Sequence, residues 1–90
     1  MDKLTMRLRY LIQGQIIEYQ DVYFGRKETF LVTDIQTDES GYTVIQGKDP
    51  FQKIYVPVTV IPSFIENGSC IYHRQYNTQD LEYRIRKCSE

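Results

Sequence analysis

The sequence contains no alanine and no tryptophan, and its 90 residues include only one histidine and two cysteines. Alanine is the strongest helix former, whereas tyrosine, isoleucine, valine and threonine, all plentiful here, favour strands. The composition therefore predicts an all-β protein. No apolar run approaches the roughly 18 residues of a membrane-spanning helix, and the N-terminus has no signal-peptide core. We expect a cytoplasmic protein without a membrane partner.

The sequence also lacks a strong excess of either charge. It has 11 basic and 12 acidic residues, with a net charge of −1. This is not the basic signature of a domain that binds nucleic acid through its overall charge. A chain of this length suffices for one modest hydrophobic core, so we predict a single domain spanning residues 1–90.

Residues with catalytic or metal-binding chemistry are sparse. Cys70, His73 and Cys88 offer at most three ligands, whereas a structural zinc site needs four, usually as two close pairs. A strand over 69–76 would place Cys70 and His73 on opposite faces, which excludes a Cys–His dyad. The chain has no glycine-rich phosphate loop and no nucleophile elbow. We therefore expect no enzymatic activity, no cofactor and no metal.

The N-terminal segment fits two periodicities. A strand, which we favour, is predicted by alternation of the apolar residues Leu4, Met6, Leu8, Tyr10 and Ile12. The alternative is a helix that begins with Asp2 as N-cap and ends at Gly14. Its apolar stripe would consist of Leu4, Leu8, Leu11 and Ile12.

Further strands are predicted by β-forming runs between turn signals. These runs are 15–24, 28–37, 41–47, 53–66 and 81–88, with prolines at 57 and 62 interrupting the fourth. Residues 28–47 form a predicted hairpin, and Asn67-Gly68 predicts another tight turn. We expect four strand tyrosines in the core or at its margin: Tyr10, Tyr19, Tyr42 and Tyr55. Tyr23 and Phe24 precede a charged loop, and we expect them to be exposed.

The stretch YVPVTVI, from Tyr55 to Ile61, resembles the end of an SH3-like barrel. There a strand runs into a proline, makes one 3₁₀ turn and leaves in a last strand. The preceding strand order is also similar, so the resemblance covers roughly residues 15–62. The ALYDY-type motif and the binding tryptophan of eukaryotic SH3 domains are missing, so the resemblance implies the barrel without the proline-peptide groove. The expected fold is a small antiparallel SH3-like barrel with a C-terminal hairpin added over 63–90.

The hairpin is predicted to pair 70–76 with 82–88 around a loop from Asn77 to Leu81. In this register Cys70 faces Cys88 at disulfide distance, although a cytosolic pair would stay reduced. One face then collects the candidate binding residues Tyr72, Arg74, Tyr76, Arg84 and Arg86. The other face would hold Ile71, His73, Tyr83 and Ile85. A short helix after Thr78 is the alternative, because Asp80–Arg84 and Glu82–Arg86 are favourable i,i+4 pairs.

Tyrosine and arginine are the residues that most often anchor protein interfaces. We therefore expect a protein-binding module that acts as a small regulator, inhibitor or accessory subunit, of the kind that phages and mobile elements encode. The alternative is a nucleic-acid-binding barrel, in which the tyrosines stack on bases and the arginines hold phosphates. The long extended run over 53–61 is a further candidate, for contact between identical subunits.

Overall fold

A computed structural model describes residues 2–88, apart from the side chain of Tyr76, and begins with a helix, α1 (Lys3–Ile12). The Asp2 carboxylate caps α1 by accepting a 2.7 Å hydrogen bond from the Thr5 amide. Leu8 and Ile12 are fully buried, whereas Tyr10 is 93% exposed. The strand prediction was therefore wrong, the helical alternative is confirmed, and Tyr10 is not a core residue.

Seven strands form two antiparallel sheets. They are β1 (Ile16–Asp21), β2 (Lys27–Leu31), β3 (Asp34–Thr37), β4 (Tyr42–Gln46), β5 (Lys53–Pro57), β6 (Ser69–Tyr76) and β7 (Gln79–Lys87). The first sheet has the order β2-β1-β7-β6, and the second has the order β3-β4-β5. The run predicted as one strand over 28–37 is divided at Val32-Thr33. It passes from the first sheet to the second, and its second half forms the expected hairpin with β4.

The chain after β5 turns into helix instead of continuing as a strand. Pro57 ends β5, a 3₁₀ turn follows over Val58–Val60, and α2 spans Ile61–Asn67. The 3₁₀ turn was expected from the resemblance to SH3-like barrels, but the strand expected after it is replaced by α2. Gly68 ends α2 with a φ of 75°, so Asn67-Gly68 is a helix C-terminus rather than a hairpin turn.

The hydrophobic core is enclosed by both sheets and both helices. Most elements contribute from one side, as the alternation along the strands and the helical spacing require, whereas β4 buries Thr43 and Ile45 on one face and Val44 on the other. The core residues are Leu8, Ile12, Ile17, Phe30, Val32, Ile35, Ile45, Ile54, Val56, Ile61, Phe64, Cys70, Tyr72 and Ile85.

Strands make up 48% of the structure, so the fold is mainly antiparallel β as predicted, with two helices that the composition did not suggest. In residues 2–88 the strands form two separate sheets and not a closed barrel. Neither helix in this part of the chain has the length and apolar character needed to cross a membrane.

Candidate interaction surfaces

The hairpin of β6 and β7 has a two-residue turn, Asn77–Thr78, which sets a different register from the predicted one. Asn77 adopts a φ of 58°, a left-handed conformation that asparagine tolerates in tight turns. Cys70 pairs with Ile85, not with Cys88, so the predicted register was wrong by three residues (88 − 85 = 3). A register shift by an odd number of residues places every side chain of β7 on the face opposite to the predicted one, relative to β6.

The five candidate binding residues are consequently not on one face. Tyr72 and Arg74 project towards the core side of β6. Arg84 and Arg86 project from the other face, where no helix or strand of residues 2–88 packs on them, and both are exposed. The side chain of Tyr76 lies outside the described part of the chain, although its backbone belongs to β6.

Tyr72 belongs to a row of three tyrosines that crosses the first sheet. The Tyr72 and Tyr83 ring centroids are 5.5 Å apart, and the Tyr83 and Tyr19 centroids are also 5.5 Å apart. Such pairs contribute about 0.5–1.5 kcal/mol each beyond the area they bury. Burial raises the pKa of Tyr72 and of Tyr19, so both phenols stay neutral. Tyr72 is only 4% exposed, and its ring stabilises the sheet.

Arg74 lies against two tyrosines that the sequence pattern did not connect with it. Its Cζ atom is 5.0 Å from the ring centroid of Tyr55 and 5.7 Å from that of Tyr42. Both rings project from the outer face of the second sheet, opposite the face that carries buried Ile45 and Val56. No salt bridge involves Arg74 among the residues that the structure describes. Its guanidinium lies over both rings in cation–π contacts.

Arg84 and Arg86 differ in their partners. Arg86 donates two hydrogen bonds to the Glu18 carboxylate, at 2.9 and 3.1 Å. This hydrogen bonding holds the pKa of Glu18 below its usual range. Arg84 has no carboxylate partner within residues 2–88. Arg86 thus has a structural role between β1 and β7.

The three side chains weighed as a metal or catalytic site do not come together. Within residues 2–88 there is no group of three or more metal-ligating side chains. Cys70 and His73 lie on opposite faces of β6, as expected from the strand. Burial raises the pKa of the Cys70 thiol to about 11, so it is protonated at neutral pH and a poor nucleophile.

The β1–β2 loop presents two aromatic side chains to solvent, as the sequence predicted. Tyr23 is 69% exposed and Phe24 is 70% exposed, and their rings pack edge to face at 4.8 Å. The Asp21 carboxylate fixes the loop by accepting hydrogen bonds from the amides of Tyr23 and Phe24. These bonds hold the main chain from which the two rings project.

The β4–β5 loop holds a third aromatic side chain outward, which the sequence analysis missed. Phe51 is 92% exposed. The loop is closed by a 2.6 Å bond from the Gly47 amide to the Gln52 carbonyl, and Asp49 accepts from the amides of Phe51 and Gln52. The Asp49-Pro50 turn signal predicted a loop here, but only the tertiary structure shows that it leaves Phe51 uncovered.

Phe51 forms one wall of a groove beside β2. We call this the β2 edge groove; its lining residues are Glu28, Thr29, Phe30, Asp49, Phe51 and Gln52. The groove has a volume of about 340 Å³ and is open to solvent. Its lining comes from β2 and the β4–β5 loop, and neither Tyr23 nor Phe24 belongs to it.

The run proposed for contact between identical subunits is extended only in part. Residues 53–57 form β5, which is an edge strand of the second sheet. Residues 58–61 belong to the 3₁₀ turn and α2, so they cannot pair with another strand in this conformation. Pro57 ends the edge and lacks an amide donor, which limits pairing there.

Comparison with known proteins identifies no relative, since no family model, no curated protein and no solved structure matches the chain.

Proposed function

We propose that this protein is a non-enzymatic module that binds another protein, as a small regulator, inhibitor or accessory subunit. The observation that carries the proposal is the presence of three exposed aromatic side chains on two loops that hydrogen bonds hold in place. Aromatic residues are enriched in the anchors of protein interfaces. A loop that is already ordered loses less conformational entropy when it binds, so its contacts contribute more to affinity.

The test is a comparative pull-down from a lysate of the native host, with and without nuclease. The bait carries Phe24→Ser together with Phe51→Ser, and the unchanged protein is the reference. Truncation of an aromatic anchor costs about 2 kcal/mol or more, or roughly 30-fold in affinity. We expect a stoichiometric protein partner that survives nuclease treatment and is lost with the double variant.

Tyr10→Ser is the matched control, because Tyr10 is at least as exposed as Phe24 and Phe51 but lies on α1. All three substitutions are at the surface, so each should change the free energy of unfolding by only about 0.5 kcal/mol. Thermal unfolding checks this. Equal recovery of the partner by the double variant and by the reference would refute the proposed surface, and loss of every partner after nuclease would refute protein binding.

Nucleic-acid binding is the second candidate function and has less support. It depended on tyrosine and arginine side chains sharing one face, but Arg84 and Arg86 lie opposite Tyr72. The observation that favours it is the uncovered face of the first sheet, on which Arg84 has no carboxylate partner within residues 2–88. Steep loss of binding with added salt would identify this mode.

We also propose that residues 15–62 are an open relative of the SH3-like barrel. The 3₁₀ turn after Pro57 supports this, as does the chain's passage from one sheet to the other between β2 and β3. The last strand of such a barrel would then come from outside this range, because β7 lies beside β1. We further propose a cytoplasmic location, because the two free thiols suit a reducing compartment. Contact between identical subunits through residues 53–57 stays a prediction.

A further inference from the structure

β2 lies at one edge of the first sheet, and two main-chain hydrogen bonds show how it is oriented. The Asp21 amide donates to the Arg26 carbonyl at 3.0 Å, and the Val32 amide donates to the Gln15 carbonyl at 2.9 Å. Residues 26, 28, 30 and 32 therefore bond towards β1, because successive residues of an antiparallel strand face opposite directions.

The alternate residues of β2 consequently direct their amide and carbonyl groups away from the sheet. These residues are Lys27, Thr29 and Leu31. None of the three makes a main-chain bond to a loop within residues 2–88. An edge of this kind is a template for an additional strand, and natural proteins usually block it.

The β2 edge groove lies beside these free groups. Phe30 is buried and lines the groove, and Phe51 projects beside it from the closed β4–β5 loop. A strand added along β2 would place alternate side chains on the same side as Glu28 and Phe30. Those side chains would enter the groove, whereas the intervening ones would face solvent.

The groove selects for a basic side chain in its partner. Its two ionisable lining residues, Glu28 and Asp49, are both acidic, and neither makes a salt bridge in the described part of the chain. A lysine or arginine would complement both carboxylates, and an arginine could also lie over the Phe51 ring. An apolar side chain two residues away would then cover Phe30.

We propose that β2 accepts an extended segment of a partner protein as an added strand, with a basic and an apolar side chain two residues apart in the β2 edge groove. This inference rests on the proposed protein-binding function and names its site and the chemistry of the partner. Main-chain hydrogen bonds supply general affinity, and the groove supplies the preference for the basic residue.

The probe is a displayed library of random seven-residue peptides, selected on the whole folded protein. The selected consensus peptide is then titrated by fluorescence anisotropy, and the exchange of individual amides is followed by NMR. We expect a basic residue two positions from an apolar one in the consensus. The amides of Thr29 and Leu31 should become protected when this peptide binds, while those of Ile71 and His73 on the opposite edge, β6, should not.

Two variants separate the contribution of the acidic side chains from that of the main-chain hydrogen bonds. Glu28→Lys with Asp49→Lys should lower affinity about tenfold, because it replaces two attractive contacts by repulsive ones. Thr29→Pro removes one outward amide and should also lower affinity about tenfold. His73→Pro is the matched control on the β6 edge and should leave affinity unchanged. A proline substitution can prevent folding. If either proline variant is unfolded, the affinity of the charge-reversed variant is the test of the inference.

Other outcomes would overturn the inference. Peptides that bind without protecting Thr29 and Leu31, or that bind the charge-reversed protein equally well, would leave a binding module that uses another surface. If no peptide is selected but the lysate partner still depends on Phe24 and Phe51, strand addition is wrong and the proposed function stands. If neither peptide nor protein partner is found, both fail.

Discussion

Gly47 is the position where a single methyl group should disturb both stability and the β2 edge groove. A Cβ atom at Gly47 would lie 2.7 Å from Cδ2 of Phe30 and 2.8 Å from Cβ of Gln52. Ordinary carbon–carbon contacts are about 3.5–4.0 Å, so one of these neighbours must move. Phe30 is buried in the core, and Gln52 is tied to Gly47 by the 2.6 Å main-chain bond that closes the loop.

The expected effect of Gly47→Ala is a loss of about 1–3 kcal/mol in the free energy of unfolding, the usual cost of overpacking. In a domain of this size, each kcal/mol lowers the melting temperature by about 4–8 °C. The loss does not arise from backbone strain, because the structure assigns Gly47 no positive φ. Movement of Gln52 should also release Phe51 from its fixed position.

The assay is urea unfolding followed by circular dichroism, with Gly25 as the matched control. Gly25 has a φ of 72° and open space around it, so alanine costs about 1–2 kcal/mol there through the left-handed backbone alone. Asparagine tolerates that conformation and should recover much of the loss at position 25. At Gly47 asparagine should be worse than alanine. A change below about 0.5 kcal/mol for Gly47→Ala would refute the close packing of this loop.

Two further predictions concern titratable groups. Hydrogen bonds from Thr5 hold the pKa of Asp2 below its usual value, so its stabilising effect is present above the unfolded pKa and is lost as pH falls through the folded pKa. Asp2→Asn should retain the cap but flatten this acid limb in unfolding curves, and an unchanged limb would contradict the cap's role. Cys88 should react with a thiol reagent well before buried Cys70, whose pKa is raised to about 11, and equal rates would contradict the packing of β6.

Local sequence patterns predicted secondary structure correctly where they were compatible with only one conformation. Runs of β-forming residues between turn signals correctly predicted β1, β4 and β7. Proline marked the end of β5, since it can neither donate to a ladder nor continue the strand. The exposure of Tyr23 and Phe24 also followed from their place before a charged loop. All of these features depend on neighbours in the chain.

The candidate site was less predictable, because the register of strand pairing determines which side chains share one face of the sheet. The sequence predicted strands over 70–76 and 82–88, with a helix after Thr78 as the alternative, and the structure confirms the strands but not their predicted pairing. The two-residue turn Asn77–Thr78 sets the pairing of the two strands. In this register Ile85 lies opposite Cys70, and Arg84 lies on the other face of the sheet. Arg74 lies with Tyr42 and Tyr55, which are distant in sequence and reach it only through the packing of two sheets.

The amino-acid sequence by itself determined that this chain is mainly antiparallel β, where most of its strands lie and that its charges are balanced. The tertiary structure decided the conformation of residues 3–12, where helical and alternating patterns were both present. The helix prevails because it buries Leu8 and Ile12 while Asp2 caps its first turn. The tertiary structure also decided which side chains are exposed. Phe51 is uncovered and Tyr72 is buried because exposure depends on contacts between distant segments, which no local pattern specifies.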